Sequence, residues 1–344
     1  MKNGEKKPNM KAIVSVVVCA AIIMGLVAAD FIKSRREYTD TDIAMNTVIS
    51  LKLYGSHGEE NAKAIKEKIK AADTSLLSRY ADGSDVNRIN TAQGKTVFVS
   101  PEVAQIIEKS IEISKKCNGV FDITIGKITE LWGFGGENPK VPSEKEIKAL
   151  LPYVGAERLK ISEDNSVKIN ENQAIDLGAV GKGAACDIIK TQLSSLSTDS
   201  AVISVGGSLL LYGNRSFKIG VVNPDDDKNS MGTLELSDTC VSTSGNYEQV
   251  FEADGKKYHH ILDAGTGYPA ESHLKSVTVV CDSGLVSDAL STACYILGYG
   301  QASFNLLKEY NAEAIFITRD NVVRYTDGLK NKFTVTDDNF TVGK

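Results

Sequence analysis

Three stretches of the chain combine residue types that could do chemistry. The first is Ala174-Ile-Asp-Leu-Gly-Ala-Val-Gly-Lys-Gly-Ala-Ala-Cys-Asp187, a strand pattern that passes through a glycine-rich turn into a helix. Glycines let backbone approach a ligand closely, and the helix start offers free N–H groups and a positive dipole end to an anion. The spacing is neither GxxxxGK(S/T) nor GxGxxG, and an ordinary tight strand-to-helix turn fits the glycines equally well. Asp176 before the turn and Lys182 within it favour a site. The carboxylate can accept hydrogen bonds from a heterocycle or hydroxyl, and the ammonium suits phosphate. The second stretch is Leu285-Val-Ser-Asp-Ala-Leu-Ser-Thr-Ala-Cys-Tyr-Ile-Leu-Gly298. On a helix Asp288, Ser291 and Thr292 share one face. One carboxylate with neutral oxygens suits a hard cation such as Mg²⁺, which leaves room for water and a substrate phosphate. The plainer alternative is that Ser287 or Asp288 only caps the helix start. The third stretch joins Val241-Ser-Thr-Ser-Gly-Asn-Tyr-Glu248 to Lys257-Tyr-His-His-Ile-Leu-Asp263. Its small hydroxyl residues suit ligand hydrogen bonds. On a strand His259 and His260 face opposite sides, so one of them at most points into a site, and either can equally be core or surface.

The elements that must position these groups follow from periodicity. β-Branched residues mark 44–54 as a strand ended by Gly55, and helical spacing marks 59–72 and 103–117, the latter started by Ser100-Pro101-Glu102. Between them a polar loop from Ser78-Arg79-Tyr80 to Asn90 carries one aromatic ring. Residues 121–125 read as a strand, the only tryptophan follows at Trp132, and Ser143 caps a helix through Leu150. Further strands are expected at 167–169, 174–177, 201–205, 209–212, 217–222, 232–236, 240–242, 247–251, 277–281, 314–318 and 322–326. Helices are expected at 183–193, 287–297 and 301–310. Strands interspersed with helices, without regular alternation, indicate an α+β fold with mixed or antiparallel sheets flanked by helices. No repeat or long linker divides it. The reading is one domain over 43–344, preceded by a charged linker at 33–42.

With 344 residues and 42% hydrophobic content, a substantial core is available. A net charge of −5 excludes a general polyanion-binding surface, so nucleic acid is not an expected partner. Six cysteines, at 19, 117, 186, 240, 281 and 294, show no CxxC pair or zinc-type spacing and read mostly as small buried hydrophobes. At the N-terminus Lys2, Lys6, Lys7 and Lys11 precede an uncharged run from Ala12 to Ala29, closed by Asp30. That order describes an export segment over residues 1–32, with the remainder outside the cytoplasm. An anchor is the first reading, and a signal cleaved after Val27-Ala28-Ala29 is the second.

Taken in order, these stretches resemble the ApbE family, the FAD:protein FMN transferases, over roughly residues 41–330. The resemblance is carried by Ala44-Met-Asn-Thr47, Leu77-Ser-Arg-Tyr80 with 84–90, Gly119-Val-Phe-Asp-Ile-Thr-Ile-Gly126 leading to Leu131-Trp-Gly-Phe134, and the 176–187 turn. Ser204-Val-Gly-Gly207, Ser242-Thr-Ser-Gly-Asn246, His260-Ile-Leu-Asp263 and Ser287-Asp-Ala-Leu-Ser-Thr292 complete it. It implies FAD across the glycine-rich turn, contacted by Asp176 and Lys182 together with Met45, Tyr80, Val120, Phe121, Asp122 and Leu262. It further implies Mg²⁺ bound by the Ala179 carbonyl, Asp288 and Thr292, with Ser291 nearby. The sequence departs from the family pattern at Asp263-Ala264-Gly265-Thr266-Gly267, where relatives commonly carry proline and a basic residue before Thr-Gly.

The chemistry so implied is displacement at the FMN-side phosphorus of FAD by a threonine or serine hydroxyl, with His260 accepting the proton and AMP departing. Asp288 serves it through the metal. Acceptors of the implied kind are subunits of Rnf- or Nqr-type redox complexes, and the expected location is the outer face of a bacterial cell membrane. Two alternatives stay open: a Mg²⁺-dependent FAD pyrophosphatase, in which water replaces the hydroxyl, and a non-enzymatic extracytoplasmic FAD-binding protein.

Overall fold

The computed structural model describes residues 37–343. The expected export segment lies outside them. From its first described residue the chain is in strand: β1 (Glu37–Ala44) and β2 (Thr47–Tyr54) form a hairpin about Met45 and Asn46, both left-handed at φ 54° and 55°. The expected linker is therefore corrected to strand from residue 37 onward. Its charges misled because Asp40 and Asp42 ion-pair with Lys66 and Lys70 of α1 (Gly58–Ala71), which covers this edge of the sheet.

Seven more strands complete one sheet: β3 (Ser200–Val205), β4 (Ser208–Tyr212), β5 (Thr239–Gly245), β6 (Leu274–Cys281), β7 (Glu313–Thr318), β8 (Val322–Tyr325) and β9 (Thr341–Val342). Their spatial order is their chain order. Neighbours are antiparallel until β9, which runs parallel to β8. The chain leaves the sheet at Tyr54 and returns at Ser200, and these two residues are cross-strand partners.

Period-two alternation gives the sheet two apolar faces. Ile203, Leu210, Cys240, Val277 and Val279 bury against a helical layer built from α1, α2 (Pro101–Lys116), α3 (Gly181–Leu193) and α4 (Gly284–Leu297). Leu211, Val241, Val280 and Ile315 face a three-stranded sheet made by Phe217–Asn223, Asp226–Leu236 and Phe333–Val335. The architecture is the expected α+β arrangement. The five cysteines among the described residues are buried free thiols within these layers.

Two expected strands, 121–125 and 174–177, are not strands. They meet in a single parallel bridge, Ile125 to Ala174, beside Asp176 N–H donating to the Ile123 carbonyl at 2.7 Å. The approach runs through Gly126, where a Cβ would stand 2.6 Å from the Ala174 oxygen, and the chain turns at once into the helix Gly126–Trp132. Pairing has no room to extend. The strand expected at 247–251 is displaced to Phe251–Ala253, because the chain turns at 246–249 with Gln249 left-handed at φ 45°.

Trp132 anchors a separate apolar cluster with Ile125, Ile128, Ile147 and Leu262. Its indole is fully buried, donates to the Gly267 carbonyl at 2.9 Å, and stacks on Phe134 at 5.4 Å. Trp132→Ala is expected to cost about 3–5 kcal/mol of stability. Urea unfolding followed by circular dichroism measures it, and a loss below about 1 kcal/mol would contradict this anchoring.

Candidate active site

The site is built where α3 and α4 touch backbone to backbone. A Cβ on Gly183 would stand 2.0 Å from the Gly284 oxygen, and one on Gly284 would stand 2.3 Å from the Gly183 oxygen. Asp187, one turn along α3, receives the Ser283 hydroxyl at 2.7 Å and the N–H groups of Gly284 and Leu285 at 2.6 and 2.9 Å. A carboxylate at a helix N-terminus satisfies donors that have no intrahelical partner. The α4 cap is Ser283, so Ser287 and Asp288 lie inside the helix and are not its caps. One turn after Gly284, Asp288 faces α3 and accepts the Gly183 N–H at 2.9 Å.

Around Asp288 lies a set of oxygens. Ser244 on β5 touches the Ser291 hydroxyl at 2.8 Å and the Thr292 hydroxyl at 3.1 Å. Ser242 touches Ser287 at 2.8 Å and Ser208 at 3.1 Å. Ser291 is fully buried and donates to the Asp288 carbonyl at 2.8 Å, so its place is that of a brace between α4 and β5. Thr292 is half-buried, with its hydroxyl at the edge of the set. Gly183 gives its N–H to Asp288, and the Ala179 carbonyl, four residues before it, thereby escapes the bond that would otherwise continue the helix. No group of three or more His, Cys, Asp or Glu that could hold a metal occurs among the described residues. The donors that Asp288, Thr292 and the Ala179 carbonyl would offer are all oxygens with one carboxylate among them, a chemistry that fits a hard cation and not a zinc-type ion.

Burial pushes the Asp288 carboxyl up to about 6, and the nearby Lys182 ammonium opposes that rise. Lys182, the first side chain inside α3, lies across the Gly206-Gly207 turn between β3 and β4. Its Nζ is 3.7 Å from the position a Gly207 Cβ would take. Met45, at the tip of the hairpin, gives its N–H to Asp73 at 2.8 Å and sets its methyl 3.6 Å from a Cβ position on Gly181. The start of α3 is thus flanked by the Met45 side chain and by the Gly206-Gly207 turn that Lys182 crosses.

The other proposed flavin contacts are less uniform. Asp176 is saturated within the protein, by Arg79 at 2.8 Å, Thr129 at 2.6 Å and the Gly178 N–H at 2.8 Å. Asp122 is buried and accepts the N–H groups of Thr124 and Ala156 at 2.8 and 2.7 Å, with the Thr124 hydroxyl also at 2.7 Å. These two carboxylates fix loops. Beside them the Val120 carbonyl accepts the Ala264 N–H at 3.2 Å. Phe121 and Leu262 are buried in separate apolar clusters. Tyr80 is the opposite case: 71% exposed, with the Arg79 guanidinium 5.3 Å from its ring. The supporting roles of Arg79 and Thr129 at Asp176 are not readable from sequence, because their partner lies 97 and 47 residues away.

His260 lies between strands, not within one. Its Nδ1 is 3.0 Å from the Glu248 carbonyl. A carbonyl can only accept, so Nδ1 carries the hydrogen and Nε2 keeps its lone pair. Desolvation pushes the imidazole down to about 4, which keeps it neutral at physiological pH. The adjacent His259 is half-buried and packs edge-on against buried Tyr295 at 5.7 Å.

Fold and site define a one-domain α+β protein that sets an anion-seeking helix start beside a cluster of oxygen ligands. The model of the ApbE family matches residues 45–316, and the chain belongs to that family. It is 32% identical over 311 residues to the FAD:protein FMN transferase of Klebsiella pneumoniae (strain 342), covering 89% of this chain and 97% of that protein. The FAD:protein FMN transferase of Treponema pallidum (strain Nichols) is 29% identical, over 96% of this chain and 97% of that one. Among solved structures, the ApbE protein of Thermotoga maritima superposes with a TM-score of 0.79 at 29% identity, covering 86% of this chain and 99% of that one.

The raised Asp288 pKa has a checkable sign. A carboxyl that is higher in the folded state, near 6 against an ordinary 3.8, stabilises the fold fully only below the ordinary value and loses that contribution as pH rises through 6. Asp288→Asn in metal-free protein should therefore be more stable than the parent at pH 7, by roughly 2–3 kcal/mol. The gap should close toward pH 4. Urea midpoints in chelator at the two pH values test this, and a pH-independent difference would refute it.

Proposed function

We propose that this chain is a FAD:protein FMN transferase that moves the FMN half of FAD onto a threonine or serine hydroxyl of an acceptor protein. The observation that carries the reading is the Gly183 N–H to Asp288 contact, which joins the start of α3 to the oxygen cluster of α4. A diphosphate at that helix start lies within reach of Lys182 and of any cation on Asp288. The FAD-binding set proposed with them is Met45, Tyr80, the 120–122 backbone, the Asp176 turn and Leu262.

In the reaction, the acceptor oxygen forms a bond to the FMN phosphorus while the bond from that phosphorus to the AMP oxygen breaks. AMP leaves with the electron pair. The hydroxyl proton passes to His260 Nε2, which the Glu248 carbonyl holds as the free nitrogen. An anionic diphosphate beside the ring raises its basicity in the bound state. Lys182 and the α3 N–H groups neutralise charge on the phosphates. Asp288, Thr292 and the Ala179 carbonyl would hold Mg²⁺, which when bound supplies Lewis-acid stabilisation of the phosphoryl oxygens.

On the strength of the basic and apolar run at residues 2–30, we also place the domain outside the cytoplasm of a bacterial cell, tethered to its membrane. Flavin-bearing subunits of Rnf- or Nqr-type complexes suit that side as acceptors.

Mass spectrometry of an acceptor incubated with enzyme, FAD and Mg²⁺ tests the transfer, the expected product being acceptor plus covalent FMN. AMP released at the same rate without acceptor would favour hydrolysis instead. Asp288→Ala and His260→Ala are each expected to slow transfer on the order of 100-fold or more. An unchanged rate removes the corresponding role. Protease protection of the domain in intact cells would overturn the external placement.

A further inference from the structure

Glu248 closes the Ser242-Thr-Ser-Gly-Asn-Tyr-Glu248 stretch, in the turn that follows β5. Its carbonyl is engaged by His260, whereas its carboxylate makes no hydrogen bond or ion pair among the described residues. The carboxylate Oε1 lies 3.6 Å from the point where a Gly207 Cβ would stand, and Lys182 Nζ lies 3.7 Å from that same point. The Lys182 ammonium is likewise without a hydrogen bond or ion pair among the described residues. An anion and a cation therefore overlook one residue without a side chain, yet stay apart from each other.

Half-buried opposite charges this near would gain by closing into a pair, and holding them open leaves each free for a ligand group. Lys182 belongs with the phosphates. A carboxylate is repelled by a diphosphate and can only accept hydrogen bonds, so it needs donors. The second reactant brings them, as hydroxyl and backbone N–H groups around the nucleophile. Gly207 keeps the approach clear, because a Cβ there would press the Thr243 carbonyl at 3.0 Å.

We propose that Glu248 recognises the acceptor protein, its carboxylate accepting hydrogen bonds from the segment that carries the nucleophilic hydroxyl as that segment crosses the Gly206-Gly207 turn. Glu248 is thus a determinant of which segment is modified. This rests on the transfer reading above.

Glu248→Gln preserves volume and the carbonyl that orients His260, so it isolates the carboxylate. Flavinylation rates are measured against acceptor concentration at saturating FAD and Mg²⁺, and then against FAD at saturating acceptor. The KM for acceptor should rise about tenfold, the loss of one charge-assisted hydrogen bond, while kcat and the KM for FAD stay within about twofold. Glu248→Asp, with the carboxylate set back by one methylene, should fall between. A raised KM for FAD with the acceptor KM unchanged overturns the proposal by placing Glu248 on the nucleotide. So does a fall confined to kcat, or no change at all. Failure of the transfer reading shows separately, as wild-type enzyme that releases AMP and never labels acceptor.

Discussion

Everything at the candidate site depends on two glycines that let two helix starts touch. Gly183 and Gly284 place the first turns of α3 and α4 in backbone contact, and any side chain at either would force them apart. The contact puts Asp187 under the α4 start and Asp288 over the Gly183 N–H, so each helix gives a carboxylate to the other's free donors. The two helix starts thereby stabilise the two carboxylates as charges next to positive dipole ends.

The sheet finishes the site from below. β5 presents Ser242 and Ser244 upward, and their hydroxyls tie to Ser287, Ser291 and Thr292 one helical turn apart. Short polar side chains here allow strand and helix to approach closely while every hydroxyl has a partner. Burying Asp288 within this layer raises its pKa and makes its charged form costly. That cost is the usual mark of a group kept for function and not for stability.

Much of this was legible in the sequence, and the boundary of legibility has physical causes. Helical spacing located α1 and α2 because each buries one face, and apolar, β-branched runs located β3 to β8 because both faces of the sheet are apolar. The start of β1 was missed because an edge strand paired by lysines looks like a solvated linker. Residues 121–125 and 174–177 have strand composition but buried courses that pair with each other through a single bridge, which propensity alone does not separate from strand. Asp288, Thr292 and Lys182 were readable from type and spacing. The bracing role of Ser291 and the internal pairing of Asp176 and Asp122 were not, since those depend on partners 34 to 97 residues away or on a strand packed against the helix. The tautomer of His260 depends on the turn at 246–249, which reads as strand in composition.

The pairing of Tyr54 with Ser200 has a consequence for how such a chain can diversify. Everything from residue 55 to residue 199, including the exposed Tyr80, the Arg79-braced loop and α3, leaves and rejoins the sheet at a single cross-strand step. Its two ends are fixed side by side whatever lies between them, as Asp199 N–H bonded to the Tyr54 carbonyl at 2.9 Å illustrates. Insertions and deletions within the excursion need not shift the register of any strand. The surface loops of the excursion can change length across descendants while α3, the serine-bearing strands and α4 keep their alignment.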